Sequence, residues 1–282
     1  MTAPIPPQKV PCFDRDNGAM PELGLGTFQA AGDACRQAVR TALELGYRHL
    51  DTARMYENED QVGLGINDAG VARDEIFLTT KLQMNELDPI GVRESCEASL
   101  AALDTDYLDL LLIHWPEEDT PVADTLGTMQ ELRETGKVRH LGISNFTRAQ
   151  MLEAIQTADV PLFCNQVEYH PYLNQGPALD TCREHGMALV AYSPLARGDV
   201  NNDDRLAEIG KKYGKSPAQV ALRWLIRQQA VVAIPKGTSA AHIRENYDIF
   251  DFELEPEDVA VIDGLPKDRR LINPSWAPTW DT

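Results

Sequence analysis

Residues 108–114 read LDLLLIH, and the apolar side chains of Leu110, Leu111, Leu112 and Ile113 follow one another without a polar break. A strand with one wet face would alternate, so this run marks a strand covered on both faces, as in a parallel sheet flanked by helices. Seven other short runs have the same character: LGLGT to Thr27, RHLDT around Asp51, IFLTTK to Lys81, VRHLGIS to Ser144, FCNQVEY around Gln166, ALVAYS around Tyr192 and VVAIPK to Lys236. Stretches of helical period separate them. In the first stretch, Cys35, Ala38, Val39, Ala42 and Leu43 recur at helical spacing and predict a crossover helix with one apolar stripe. The polar residues closing successive runs, with His114 closing the fourth, stand 22–33 residues apart, except for the 44 between Tyr192 and Lys236. About 30 residues make one strand–helix–strand unit, and eight units close a barrel. The expected fold is therefore a (β/α)8 TIM barrel of class α/β, one domain over residues 1–282 with a short N-terminal cap and a C-terminal tail over the substrate opening. The surplus in the last interval holds a predicted loop, ARGDVNNDD (196–204), and two helical patterns, Leu206–Tyr213 and Pro217–Gln228.

The 282 residues include 44 acids against 26 bases, for a formal charge of −18, which repels nucleic acid and anionic membranes. No apolar run approaches the roughly 18 residues needed to cross a bilayer. Of the charged residues, 24 are Asp but only 8 are Lys, with 18 Arg, a balance resembling protein surfaces in salt-accumulating cytoplasms and predicting a halophilic protein. Cys12, Cys35, Cys96, Cys164 and Cys182 are odd in number and form no paired or metal-spaced motif, so they read as reduced thiols and no metal is expected. The opening MTAPIPPQKV lacks the basic start and long apolar core of a signal peptide, which predicts a cytoplasmic location.

Seven stretches, GYRHLDTARMYENEDQVG, FLTTKL, DLLLIHWP, LGISNF, NQVEYHPYL, AYSPLA and IPK followed by ENY, run in order through nearly the whole chain. Together they resemble the aldo-keto reductase family. The short loop after HWP and the tail RRLINPSWAPTWD look most like the small microbial diketogluconate and aldehyde reductases of that family. The resemblance implies NAD(P)H-dependent reduction of an aldehyde or ketone in a TIM barrel.

Carbonyl reduction by hydride leaves negative charge on oxygen, so the site needs a proton donor in hydrogen-bond reach and an electrostatic partner for the oxyanion. Tyr56 suits the donor role, and a neighbouring ammonium from Lys81 would lower its free pKa of about 10. Asp51 would hold Lys81 in place and charged, and His114 would orient the carbonyl and donate to its oxygen. These four match the family's tetrad position by position. Taken singly, each also has an ordinary structural reading: a surface tyrosine, a buried ion pair, a core imidazole.

Neither a G-x-G-x-x-G fingerprint nor a Walker sequence is present, so cofactor binding falls to the barrel mouth. Thr27 closes the first run at that mouth. Ser144, Asn145 and Gln166 supply groups of the kind that fix a nicotinamide carboxamide, and Tyr192 a ring for stacking. By resemblance, Ser193 and Leu195 would meet the pyrophosphate, and Glu245 and Asn246 the adenine. The 2′-phosphate that distinguishes NADPH requires cations. The family places Lys-Ser and then Arg here, whereas this chain has Lys236, Gly237 and His242, with Thr238, Ser239 and Arg244 as possible substitutes. NADPH is expected, with NADH possible. Family members often place an aromatic residue after the lysine motif, where this chain has Gln83; with Phe28 and Trp115 it would line the substrate pocket, joined by Trp276 or Trp280 of the tail. The expected partner is a small carbonyl substrate, with neither nucleic acid nor membrane, in a monomer. Two other readings stay open: a nicotinamide-binding redox sensor with little turnover, and a barrel hydrolase or isomerase without nicotinamide.

Overall fold

A computed structural model describes residues 10, 12–15, 18–117 and 119–281; the predicted leaderless start of the chain, residues 1–9, lies outside them. The chain opens with an antiparallel hairpin, β1 (Cys12–Arg15) and β2 (Gly18–Pro21). Eight parallel strands follow: β3 (Leu25–Gly26), β4 (His49–Asp51), β5 (Phe77–Leu82), β6 (Leu108–Ile113), β7 (Val138–Ser144), β8 (Cys164–Glu168), β9 (Ala188–Tyr192) and β10 (Val231–Ala233). Each coincides with one of the eight apolar runs, β5 passing the end of its run by one residue at Leu82, and pairs with its neighbours in chain order. Parallel bridges Leu23↔Ala233 and Gly26↔Lys236 join the first strand to the last, with Gly24 N donating to Ala233 O at 2.9 Å. This seam closes the ring into the expected barrel. It also explains Gly26, where an added Cβ would lie 2.8 Å from the carbonyl oxygen of Ile234.

Helices α1 (Gly32–Leu45), α2 (Glu59–Ala69), α3 (Pro89–Leu103), α4 (Val122–Glu134), α5 (Arg148–Thr157), α6 (Gly176–Glu184), α7 (Asp204–Tyr213), α8 (Pro217–Ile226), α9 (Ala240–Tyr247) and α10 (Pro256–Asp263) fill the connections and the C-terminal region. In α1 the buried residues are the five of the predicted stripe. Local signals set several starts: Asp88 caps α3 ahead of Pro89, and Thr147 with Gln150, and Ser216 with Gln219, form capping boxes on α5 and α8. Within the predicted loop, Ala196–Asn202 instead winds into 3-10 turns, broken where Arg197 and Gly198 adopt left-handed backbone at φ 55° and 99°. Asp203 then accepts from the Arg205 N–H and caps α7.

Where the strands begin, Met20 of β2 packs with Phe77, Leu110, Leu112, Phe163, Val190 and Val232 inside the barrel, and Phe13 of β1 lies against them. The hairpin plugs this end with apolar side chains. Polar groups collect at the opposite end, where a barrel of this kind carries its site.

Candidate active site

The site is built from the strand ends upward. Asp51 closes β4, and the next residues turn into a 3-10 segment, Arg54–Tyr56, that Glu57 ends in the left-handed region at φ 53°. Asn58 fastens this turn to the loop after β3: its Nδ2 donates to the carbonyls of Thr27 and Ala30 at 2.9 and 2.8 Å, and its Oδ1 accepts from Thr52 Oγ1 at 2.9 Å. Tyr56 is thereby held over the barrel mouth, half-buried, its ring 5.1 Å from that of Phe28 and 5.7 Å from that of His114.

Lys81 on β5 is wholly buried. Its Nζ donates to Asp51 Oδ1 at 2.6 Å and Thr52 O at 2.7 Å, and stands 3.4 Å from the Tyr56 hydroxyl. The other carboxylate oxygen of Asp51 accepts from Gln166 Nε2 at 2.7 Å. Burial opposes the Lys81 charge, yet the facing Asp51 carboxylate and Tyr56 oxygen outweigh it and hold this ammonium above its ordinary pKa. For Tyr56 the balance differs from the sequence expectation: burial raises its pKa, the pull of Lys81 lowers it, and burial prevails. The hydroxyl therefore keeps its proton, while the ammonium lies where it would stabilise the phenolate. Burial, reinforced by Lys81, drives the pKa of His114 well below 6.5, so the imidazole is neutral at neutral pH. Its buried Nδ1 has no hydrogen-bond partner among the described residues, and the ring lines the cavity.

A cavity of about 490 Å³ is lined by Asp51, Tyr56, His114, Trp115, Asn145, Gln166 and Tyr192, with Phe28, Met55 and Ile234, and on the tail side by Leu271, Ile272, Asn273, Pro274 and Trp276. A second, of about 410 Å³, is lined by Leu195, Asn201, His242, Glu245 and Asn246 among others, and the two share Phe28, Ser193, Arg197 and Lys236. They are two lobes of one cleft. Arg197 and Lys236 stand at the waist, and neither side chain has an ion-pair partner among the described residues. This shape suits a dinucleotide: one ring in each lobe and phosphates between cations. Gln166, with Nε2 given to Asp51, has Oε1 left as an acceptor in the cavity wall. Asn145 Nδ2 donates to His114 O and Ser144 Oγ, and its Oδ1 accepts from the Tyr192 hydroxyl at 2.8 Å.

Four expected site residues line neither lobe: Lys81, buried behind Tyr56 and Asp51, and three that turn elsewhere. Thr27 is buried with its hydroxyl donated to Asp51 O, Ser144 donates to Gln166 O, and Gln83 begins a 3-10 turn whose Glu86 carboxylate meets its backbone N–H. Arg244, Thr238 and Trp280 also lie outside; the Trp280 indole donates to Asn273 and its ring packs on Trp115. Sequence reasoning missed Arg197, Asn58 and the tail segment 271–274. Asn58 sits inside the quoted YENE motif, where a buried amide beside a turn was the available signal. Among the described residues, no cluster of His, Cys, Asp and Glu could hold a metal ion, and no helix is long and apolar enough to cross a membrane.

Residues 22–267 match the model of the aldo/keto reductase family. The chain belongs to the aldo/keto reductase family. This aldo/keto reductase is 43% identical over 253 residues to glyoxal reductase of Bacillus subtilis, covering 89% of this chain and 91% of that one. Among solved structures, a putative 2,5-diketo-D-gluconic acid reductase B superposes with a TM-score of 0.95 at 44% identity, over 97% of this chain and 98% of the other. An aldo-keto reductase of Bombyx mori in complex with NADP does so at 0.88 and 36% identity, over 94% and 96%. As a member of the family, this aldo/keto reductase is an NADPH-dependent carbonyl reductase.

Proposed function

We propose that Tyr56 is the proton donor of this reductase, with Lys81 and Asp51 setting its charge environment and His114 orienting the substrate carbonyl. The observation that carries this reading is the Lys81 ammonium, buried beneath the cleft 2.6 Å from Asp51 and 3.4 Å from the hydroxyl of Tyr56, which lines it. Reduced nicotinamide, when bound, supplies hydride to the carbonyl carbon. Gln166 and Asn145 would hold its carboxamide and Tyr192 its ring, while Ser193, Leu195 and Arg197 would face the diphosphate and Glu245 and Asn246 the adenine. Neutral His114 donates a hydrogen bond to the carbonyl oxygen and fixes its direction. Tyr56 passes its proton to that oxygen as charge develops, and Lys81 compensates the phenolate left behind until solvent reprotonates it. The product is the alcohol.

The walls around the carbonyl, Phe28, Met55, Trp115, Ile272 and Trp276, favour a small aldehyde, ketone or dicarbonyl over a highly charged substrate. Lys236 and His242 would read the 2′-phosphate. Gly237 stands where the family places a serine, a Cβ there would lie 3.0 Å from Ile243 Cγ1, and the Ser239 hydroxyl accepts from the His242 N–H. A cytoplasmic, salt-tolerant enzyme is the reading that the charge balance supports. Nothing in the cleft favours a sensor without turnover, since all four groups of the tetrad converge. Tyr56→Phe tests the proposal: kcat should fall at least about 10²-fold with the affinity for NADPH, read by fluorescence, little changed. Near-normal turnover would remove Tyr56 from the mechanism.

A further inference from the structure

The proton-donor machinery leaves one buried acid unused. Glu168 ends β8, two residues beyond Gln166, and its side chain is completely inaccessible to solvent. It has three hydrogen-bond donors: Leu271 N at 2.8 Å and His170 Nε2 at 3.0 Å to Oε1, and Ile272 N at 2.9 Å to Oε2. The Tyr172 N–H points at His170 Nδ1 from 3.3 Å, which makes that nitrogen the acceptor and puts the ring proton on Nε2, facing the carboxylate. The His170 N–H thus completes the shell, and the Arg270 guanidinium lies near enough to interact with the carboxylate by charge.

The two backbone donors belong to the tail, 103 and 104 residues further along the chain. Leu271 and Ile272 then line the first lobe, followed by Asn273, Pro274 and Trp276. Other moorings lie to either side. Leu173 bridges Asp268 and the Arg269 N–H reaches Tyr172 O before the lobe, and the Asp281 carboxylate accepts from the Arg148 N–H beyond it. Glu168 grips the tail at the residues that form the wall.

We infer that Glu168 is a specificity-determining positioning residue: its carboxylate fastens Leu271 and Ile272 against the barrel and so sets the shape of the substrate chamber without touching cofactor or reacting atoms. The inference rests on the reading of the first lobe as that chamber. A carboxylate offers acceptors at both oxygens, whereas an amide keeps one and turns N–H groups towards a donor. Glu168→Gln therefore forces out one of the two tail contacts while keeping size. Losing a hydrogen bond to a charged buried group is enough to change local opening, and with it a binding constant, by on the order of 10-fold or more.

The experiment measures hydrogen exchange at Leu271 and Ile272, steady-state kinetics with methylglyoxal and with a bulkier aromatic aldehyde, and NADPH affinity, on the full-length protein and on Glu168→Gln. Exchange at the two amides should speed up at least ~10-fold, KM should rise ~10-fold for the aromatic aldehyde and less for methylglyoxal, and kcat and NADPH affinity should stay within about 3-fold. Unchanged exchange overturns the inference, as does faster exchange with KM unmoved, or an equal fall in kcat and cofactor affinity. If the variant does not fold, Glu168→Asp keeps the charge but withdraws it from the two tail amides, with the same exchange and KM comparisons as readouts. Wild-type protein that reduces no carbonyl would defeat the reductase reading instead, and the exchange measurement would still decide whether Glu168 holds the tail.

Discussion

The two lobes of the cleft hold their charges in opposite ways. In the inner lobe, Lys81 and Asp51 are buried, their polar atoms given to Thr52, Tyr56 and Gln166. At the waist and in the outer lobe, Lys236, Arg197 and His242 are exposed, and their side chains are free of ion pairs among the described residues. A buried pair costs several kcal/mol to break because the survivor is left charged in a poor solvent, whereas an exposed cation awaiting a phosphate costs little to exchange. Chemistry is therefore coupled to stability in one lobe and uncoupled in the other, where cofactor preference can drift.

The largest effect that could break this contrast is expected at Lys81. Lys81→Met strands the Asp51 carboxylate, so the protein should lose about 3–5 kcal/mol of stability along with at least about 10²-fold in kcat. Chemical denaturation with unchanged midpoint would show that the pair is less isolated from water than its geometry indicates.

Next comes acid. The folded pKa of His114 is depressed, so its contribution to stability is complete above the unfolded value of about 6.5 and is lost as pH falls from there towards the folded value. His49, also depressed by burial, adds to the same trend. Each contributes at most about 1.4 kcal/mol per pH unit. The melting temperature should accordingly fall below pH 6.5, and His114→Asn should flatten the decline. An identical slope in that variant would place the titration elsewhere.

His242→Arg probes the exposed side. It should tighten NADPH by roughly 10-fold, the scale of one charge-assisted hydrogen bond, with NADH unaffected and stability unchanged. Equal tightening of both cofactors would mean that position 242 meets the shared diphosphate instead. Smallest is the whole-surface effect. With a formal charge of −18, added salt should relieve self-repulsion, raising the melting temperature by roughly 2–4 °C between 0.1 and 2 M KCl. A flat curve would remove the reading of the acidic surface as a salt adaptation.

The strands were legible because continuous burial forces continuous apolar sequence, and a polar residue at each run's end marks where the barrel opens. The run ends put Lys81, Asp51 and His114 at the barrel mouth, while their roles, and the choice of Tyr56 as donor, came from the proton chemistry read together with the family resemblance. What the runs do not encode is where a polar side chain turns after its strand. Thr27 and Ser144 close runs as expected, yet each spends its hydroxyl on a neighbouring strand's carbonyl. Gln83 lies just past the end of β5, where the chain has already turned. Glu168 was hidden for a further reason: its partners are backbone amides more than a hundred residues away, and a backbone donor leaves no mark in composition.

The seam between Leu23–Gly26 and Ala233–Lys236 has a consequence in time. More than 200 residues separate its sides, and at the usual pace of synthesis of about 5–20 residues per second the first strand waits some 10–40 s for its second neighbour. Until then it presents an open edge of the kind that recruits foreign strands. The Gln166–Asp51 bond, closing across 115 residues, waits as well. A ribosome-bound first half can thus hold the Tyr56 turn and the Lys81 pair and still lack Gln166, while the last strand, Lys236 and the tail wall come later still, so activity should arrive only with the end of the chain.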